Sequence, residues 1–462
     1  MMPYFLGIDL GTSYFKAGIF DGSGHLKGLG RQYVPKIADD VICELPLEIF
    51  WKTIRNCLYE AVQLAGIQAS AIKTISYATQ VNSFILLDKN DDPLTPLILW
   101  PDKRASGMEL HIGDTEIMMN RTGLGIAPNE QFTIAKLSWF RRCRPEIWEK
   151  AAFILSISDY LTFSLTGQKV CDHSTASMSG LFDIVDGVWW KEQLDNFGIH
   201  PQMLPSPQKT GTYVGATTPK ASPLTGLPQG ISFCLGGLDH HSAAIGTGIP
   251  ANGYMNESTG TVLSCVDYTD RYLPRKNICM APGLHEGYFF RMVFDDNGAR
   301  SLEWYQKNHA PEYTISRLLE MAATVEVGCN GMTAFPCACT YPALSGFTST
   351  GAIRYHHGHY VRALLESTAH SLFHLVKVLK EGDPIPPVVS SGGGSRSNLW
   401  VKIKSDIIQC THSLPLDEGR GAVFFIPECT ESSCMGAAMM GVLGTNVFSS
   451  YDTLVAAWVR FR

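Results

Sequence analysis

One short pattern occurs twice in this chain, far apart, and it limits the folds open to everything else. Tyr4 to Ile8 is an apolar, strand-like run that ends in Asp9. A turn of Gly11, Thr12 and Ser13 follows, then a second strand-like run from Tyr14 to Phe20, closed by Asp21-Gly22. The second copy opens at Gly253, with Tyr254 to Glu257, the turn Ser258-Thr259-Gly260-Thr261, and the run Val262 to Val266. Such a hairpin can offer a polyphosphate a closely approaching backbone, amide and hydroxyl donors and, at Asp9, a carboxylate for hydrated Mg2+. Taken singly, each is as readily an ordinary tight turn. Together, one in each half, they hint at two domains of related architecture facing one ligand.

The length agrees, since 462 residues exceed one ordinary core. Pro250-Ala251-Asn252-Gly253 supplies a turn between the halves, so the expected domains are 1–249 and 250–462. A net charge of -6 gives no electrostatic reason to expect nucleic acid or an anionic membrane as partner. No apolar run approaches the roughly 18 residues a bilayer span needs. The N-terminus lacks a basic-then-apolar leader layout, because Asp9 and the glycine turn interrupt it. A cytoplasmic location is expected. The 13 cysteines are scattered, and Cys329, Cys337 and Cys339 have neither a second CxxC pair nor histidines at zinc spacing, which favours reduced thiols.

Between the two hairpins the pattern is α/β. Leu47, Phe50, Trp51, Ile54, Leu58 and Val62 recur at helical spacing, and Ile72 to Ala78 reads as a buried strand running into Thr79-Gln80-Val81-Asn82-Ser83. Phe84 to Leu87 is a further strand, and Pro96 to Trp100 leads into Pro101-Asp102-Lys103-Arg104. Short helices are expected over 132–142, 145–150 and 158–165, and a loop-rich stretch after them. The strand 231–235 then enters Gly236-Gly237-Leu238-Asp239-His240-His241, a strand end turning into a helix. In the second half a helix is expected over 359–379. A strand over 387–391 ends in Gly392-Gly393-Gly394-Ser395, with helices over 399–410 and 432–442 beyond it. Polar residues thus gather at strand ends, where open sheets build their sites.

Three glycine-and-hydroxyl turns, at 11–13, 259–261 and 392–395, each follow a strand. In this order they resemble the two phosphate segments and the adenosine segment of the sugar-kinase, heat-shock chaperone and actin superfamily. Within it the chain resembles the FGGY carbohydrate kinases, xylulose kinases and their relatives above all, from about Tyr4 to about Leu443. The resemblance is carried by Gly7-Ile8-Asp9-Leu10-Gly11-Thr12-Ser13, Leu99-Trp100-Pro101-Asp102-Lys103-Arg104, Lys136-Leu137-Ser138-Trp139, Gly236-Gly237-Leu238-Asp239 and Ser391-Gly392-Gly393-Gly394-Ser395.

The resemblance implies two ribonuclease-H-like, actin-like ATPase domains with a catalytic cleft, and ATP-dependent phosphorylation of a hydroxyl on a small ketopentose-like sugar or polyol. It makes Asp239 the general base and Asp9 the Mg2+ carboxylate. It puts Gly11, Thr12, Ser13, Lys16, Gly260, Thr261, Gly393, Gly394 and Asn398 on ATP, and Gln80, Asn82, Asp102 and His240 on the acceptor. From the residues alone, Asp239 also reads as a helix N-cap, and Gln80 and Asn82 as a polar pair satisfying a turn. A homodimer is left open. Asn82 stands where these relatives carry histidine, His240 and His241 follow the base, the loop 345–359 is short, 415–426 is an insertion, and the tail after Trp458 is brief. The alternative is a nucleotide-binding relative that performs no transfer, a degenerate kinase or sugar sensor.

Overall fold

The computed structural model describes residues 3–351, 353–410 and 424–462. The chain divides into two compact units, one of 1–251, 268–291 and 431–459, the other of 252–267, 292–430 and 460–462. The boundary expected at 249/250 therefore meets a chain that returns to its first unit twice. The insertion at 415–426 lies, up to residue 423, outside the described residues.

The first unit is built on the opening hairpin. Tyr4–Leu10 and Tyr14–Asp21 pair antiparallel, Leu26–Tyr33 extends them, and Ile72–Thr79 lies parallel on the other side of Tyr4–Leu10. Ser232–Cys234 and Gly237–Leu238 both pair parallel to Ile72–Thr79. Six of the seven residues of Tyr4–Leu10 are buried, because this central strand is covered on both faces and carries a nearly unbroken apolar run. The helix Leu47–Ala65 buries Phe50, Trp51, Ile54, Leu58 and Val62 at the expected spacing and ends at Gly66, whose φ of 64° gives the left-handed cap that glycine adopts at no steric cost. Each such large side chain contributes about 1.5–3 kcal/mol on full burial. A second sheet places Phe84–Leu87 between Leu97–Ile98 and Phe153–Ser156. The expected helices appear as Thr133–Cys143, Pro145–Trp148 and Ile157–Thr166.

The helix Ser432–Gly444 belongs to this unit, lying on Tyr4–Leu10, Ile72–Thr79 and the helix Asp239–Gly246. Its approach to the last is backbone on backbone. A Cβ built on Gly436 would meet the Ser242 carbonyl oxygen at 1.8 Å, and one on Gly246 would meet the Ser432 oxygen at 2.0 Å. The small-residue run is therefore a packing requirement.

The second unit repeats the plan. Met255–Thr259 pairs antiparallel with Leu263–Thr269 and parallel with Val388–Ser391, which in turn pairs with Phe424–Phe425. The helix His357–Lys380 buries Val361, Leu364, Leu365, Leu372 and Val376. Within 345–359, Phe347–Ser349 pairs with Met332–Ala334, and His356 caps the helix by accepting from the Gly358 amide at 3.1 Å.

Two buried carboxyls of the first unit carry a pH consequence. Asp159 caps its own helix, accepting from the Ser156 amide at 2.8 Å, while its Oδ1 has no partner among the described residues. Burial lifts its pKa to about 7. A carboxyl whose pKa is higher folded than unfolded binds its proton more tightly in the folded state. Its stabilisation is complete below the ordinary carboxylate pKa and is lost as pH rises through the folded value. Asp159→Asn keeps the cap and removes the ionisation. The variant's melting temperature, compared with wild type, is expected to gain from about pH 4 to about pH 7 and to level off above that. A difference that stays constant or shrinks over that range would show that Asp159 is ionised throughout. Asp172, lifted by burial to about 6 and held down by Thr175 and Tyr77, adds to the same trend in wild type.

Candidate functional site

Register brings the two carboxylates of the first unit together. Asp9 pairs with Ala78 and Leu10 with Thr79, while Gly237 also pairs with Ala78 and Leu238 with Thr79. Three parallel strands thus end at one level, and their carboxyl ends carry Asp9, Gln80 and Asp239. Open α/β sheets place ligands at that edge.

Asp9 is buried and lies 3.5 Å from Lys16, whose ammonium is 3.0 Å from Glu431. Burial is the main force raising the Asp9 carboxyl to about 6; Lys16 opposes it, and the charges of Asp239 and Glu431 add to it. For Lys16 burial works against the charge, but Asp9 and Glu431 outweigh it and hold its pKa above the ordinary value. Two carboxylates meet one lysine, and the charge of Asp239 bears on Asp9. The Asp9 carboxylate supplies hard oxygen donors of the kind a divalent cation takes alongside phosphate oxygens and water.

Asp239 is the first residue of the helix Asp239–Gly246, with its side chain 31% exposed. Its Oδ1 accepts from the His240 amide at 2.8 Å, and its Oδ2 accepts no hydrogen bond among the described residues. Leu238, not Asp239, occupies the cap position. The corner is held from below by Ser174, whose Oγ accepts from the Leu238 amide at 3.0 Å and contacts His241 Nδ1 at 2.9 Å. His241 stacks on Phe290 with ring centroids 4.8 Å apart, and burial depresses its pKa to about 3, so it is neutral. His240, half-buried, keeps its Nε2 4.0 Å from Asp239 Oδ1.

The turn after the first strand is tied to Trp100 and Gln80. Thr12 Oγ1 accepts from Trp100 Nε1 at 2.7 Å, and Gln80 Nε2 donates to the carbonyls of Leu10 and Gly11 at 3.3 Å each. Ser83 donates to Gln80 Oε1 at 3.0 Å. Asn82 sits at φ 58°, and its Oδ1 accepts from the amide and hydroxyl of Thr133 at 3.0 and 3.1 Å. Both residues therefore do the turn-satisfying work their types suggest, and both also line a partly open, mainly apolar pocket with Thr133, Asp159 and Trp189. Lys136, fully buried, donates to the carbonyls of Asn82, Leu99 and Trp100 at 2.9, 3.0 and 3.3 Å. Burial lowers its pKa to about 7. Its three acceptors match the three protons of the ammonium, so the geometry favours the charged form.

Asp102 is differently placed from the expectation. It is fully buried, with Oδ2 accepting from the Cys43 amide at 2.7 Å and from Arg104 Nη2 at 2.9 Å. Its Oδ1 accepts from the Arg104 amide and Nε at 3.1 and 2.7 Å. All four lone-pair directions are used, and none is left for a sugar hydroxyl. Its partner Arg104 also reaches Glu44 at 2.5 Å and lies over the rings of Trp139 and Phe140.

In the second unit the remaining expected residues fall into two adjoining turns and the start of the helix after the second. The Gly260 amide donates to the Val262 carbonyl at 3.1 Å, and its own carbonyl accepts from Ala299 at 2.8 Å. Thr261 is exposed. Gly392, at φ 75°, begins the other turn, and a Cβ on Gly394 would meet the Thr259 Cβ at 2.7 Å, so only glycine lets the two turns touch. Gly393 is exposed, as is Asn398 at the start of the helix Asn398–Cys410. Sequence reasoning passed over Glu431, Ser174, Glu257 and Lys404. The last two could have been noticed as charges inside otherwise apolar or hydroxylated runs.

Comparison with known proteins bears on both units. Residues 4–246 match the model described as "FGGY family of carbohydrate kinases, N-terminal domain", and residues 333–444 match that of the C-terminal domain. A xylulose kinase of Bacillus subtilis is 28% identical over 478 residues, covering 99% of this chain and 92% of that protein. A gluconokinase of the same organism is 26% identical, covering 98% and 90%. Among solved structures, a xylulose kinase from Rhodospirillum rubrum superposes with a TM-score of 0.82 at 25% identity, covering 99% of this chain and 93% of that one. The Plasmodium falciparum glycerol kinase with ADP, at 19% identity and a TM-score of 0.80, shares the fold.

Proposed function

From the premise that the chain belongs to the FGGY family of carbohydrate kinases, we propose that Asp239 is the general base of a transfer from ATP to a hydroxyl of a small, ketopentose-like sugar or a polyol. The family's fold is that of the actin-like ATPases, and its enzymes use ATP as phosphoryl donor. The observation carrying the assignment is the shared register that sets Asp9 and Asp239 at the carboxyl ends of the two strands flanking Ile72–Thr79, close enough for the charge of Asp239 to bear on Asp9.

Asp239 anchors one oxygen on its own helix, which leaves the other for an acceptor hydroxyl. As the hydroxyl oxygen bonds to the γ-phosphorus and the bond to ADP breaks, the hydroxyl proton passes to that carboxylate. Asp9 would hold Mg2+, with Glu431 close by; the ion supplies charge neutralisation for the phosphates when bound. Lys16 and the turn Gly11-Thr12-Ser13 face the transferred phosphoryl group. Gly260, Thr261, Gly393, Gly394 and Asn398 are the nucleotide-side groups of the second unit. Gln80, Asn82 and His240 contact the acceptor, whereas Asp102 acts one step removed, by orienting Arg104. The protein works in the cytoplasm.

The test is a screen of ketopentoses, polyols and aldonates with Mg-ATP, reading ADP release. At least one acceptor is expected to raise the rate well above that of ATP alone. Intact ATP binding with no acceptor-dependent turnover across the panel would overturn the proposal.

A further inference from the structure

The two glycine turns of the second unit rest on a charge pair that solvent does not reach. Glu257 lies in the middle of the strand Met255–Thr259 and Lys404 in the helix Asn398–Cys410, and both side chains are 0% exposed. Lys404 Nζ donates to Glu257 Oε1 at 2.8 Å and to Thr259 Oγ1 at 2.6 Å, while Thr259 Oγ1 donates to Glu257 Oε2 at 2.8 Å. The Ser390 hydroxyl donates to Glu257 Oε1 from the neighbouring strand. Lys404 Nζ also lies 3.4 Å from where a Cβ on Gly394 would stand. One ammonium therefore bonds to the start of the turn 259–261 and lies next to the space a side chain at Gly394 would take.

Stability alone is a poor reason for this arrangement. Removing two charges from water costs several kcal/mol per ion, and apolar side chains of similar volume commonly serve as well or better. Burial pulls the Lys404 pKa down, and the Glu257 carboxylate opposes that fall. What the pair does supply is direction. Its hydrogen bonds join two strands, a helix and the start of the turn 259–261 through fixed donor and acceptor geometry, which apolar contacts would leave free to slide, and Thr259 packs in turn against Gly394.

We propose that Lys404 and Glu257 are positioning residues for the nucleotide, holding the turns 259–261 and 392–394 at one spacing through Thr259. This rests on the reading that those turns hold the nucleotide. Neither residue touches the ligand; Thr259 and the Gly394 backbone transmit their effect. The Oγ1 of Thr259 is the joint, because it is bonded to both charges at once.

The test uses full-length protein and ADP with Mg2+, titrated calorimetrically. The paired variant E257L/K404M removes both charges, so neither is left buried alone, and its melting temperature is read alongside. It is expected to fold and to bind ADP roughly 10- to 100-fold more weakly, the scale of lost hydrogen bonds to charged groups. Thr259→Val, which deletes the joint at constant size, is expected to weaken ADP to a similar degree, and Thr259→Ser to restore it. Folded E257L/K404M binding ADP within about twofold of wild type would overturn the proposal. If that variant does not fold, Thr259→Val decides by the same criterion. Gly394→Val separates the two readings, since its side chain must displace Thr259. Wild-type ADP affinity in Gly394→Val would overturn the nucleotide assignment of the turns, and the positioning role with it. Loss there, with E257L/K404M binding normally, would overturn the positioning role alone.

Discussion

Replacing Asp239 with Asn is expected to remove phosphoryl transfer while leaving ADP affinity nearly unchanged. The amide keeps the contact to the His240 backbone, now 2.8 Å from Oδ1, so the helix start is preserved and only the proton acceptor is lost. General-base catalysis by a positioned side chain is worth about 10²- to 10⁴-fold, and the fall in kcat should lie in that range. The measurement is a steady-state rate with a saturating acceptor, with ADP binding determined separately. A residual rate within about tenfold of wild type would assign the base elsewhere, because so small a loss falls below what a base contributes. A large fall accompanied by equal loss of ADP binding would point to damage at the strand ends shared with Asp9.

The second large effect is expected from Gly436→Ala. Its new methyl group would start 1.8 Å from the Ser242 carbonyl oxygen and 2.9 Å from the Gly246 nitrogen, both backbone atoms that cannot rotate away. The two helices must separate. Overpacking of that kind costs about 3 kcal/mol or more where backbone has to move, and a fall of about 5 °C or more in melting temperature is the expected reading. The displaced helix begins at Asp239, so kcat should fall in whatever protein remains folded. Gly22→Ala, with nothing within 4 Å of its Cβ, is the matched control and should melt close to wild type. A Gly436→Ala protein with wild-type melting and turnover would mean that the helix contact is softer than its geometry.

Much of this site was legible because its parts are local. Asp9 and its turn, the glycines before Asp239 and the triplet at 392–394 each combine a strand, a turn residue and a polar group within about ten residues, and short-range patterning reports such combinations well. The helices at 47–65 and 357–380 were legible for the same reason, through period alone. The obscure parts depend on partners far along the chain. Asp102 looks like a sugar ligand until the Cys43 amide, 59 residues away, is found on its carboxylate. Glu257 and Lys404 are separated by 147 residues, and nothing in either neighbourhood names the other. Asn82 lay between these cases. Its turn role could be read from its type, but its bond to Thr133 at the start of a helix 51 residues on could not.

The assignment of 431–459 to the first unit changes what it means to shorten this protein. A chain ending near residue 430 would not hold an intact first unit and a shortened second one. It would lack the helix that lies on Tyr4–Leu10, the Glu431 that meets Lys16, and the Trp458 ring that stacks on Phe20. During synthesis the strand carrying Asp9 is made more than 400 residues before the helix that covers it. Until then its outer face lacks its native cover. The order in which the ribosome delivers the sequence is therefore out of step with the order in which the site can close its core.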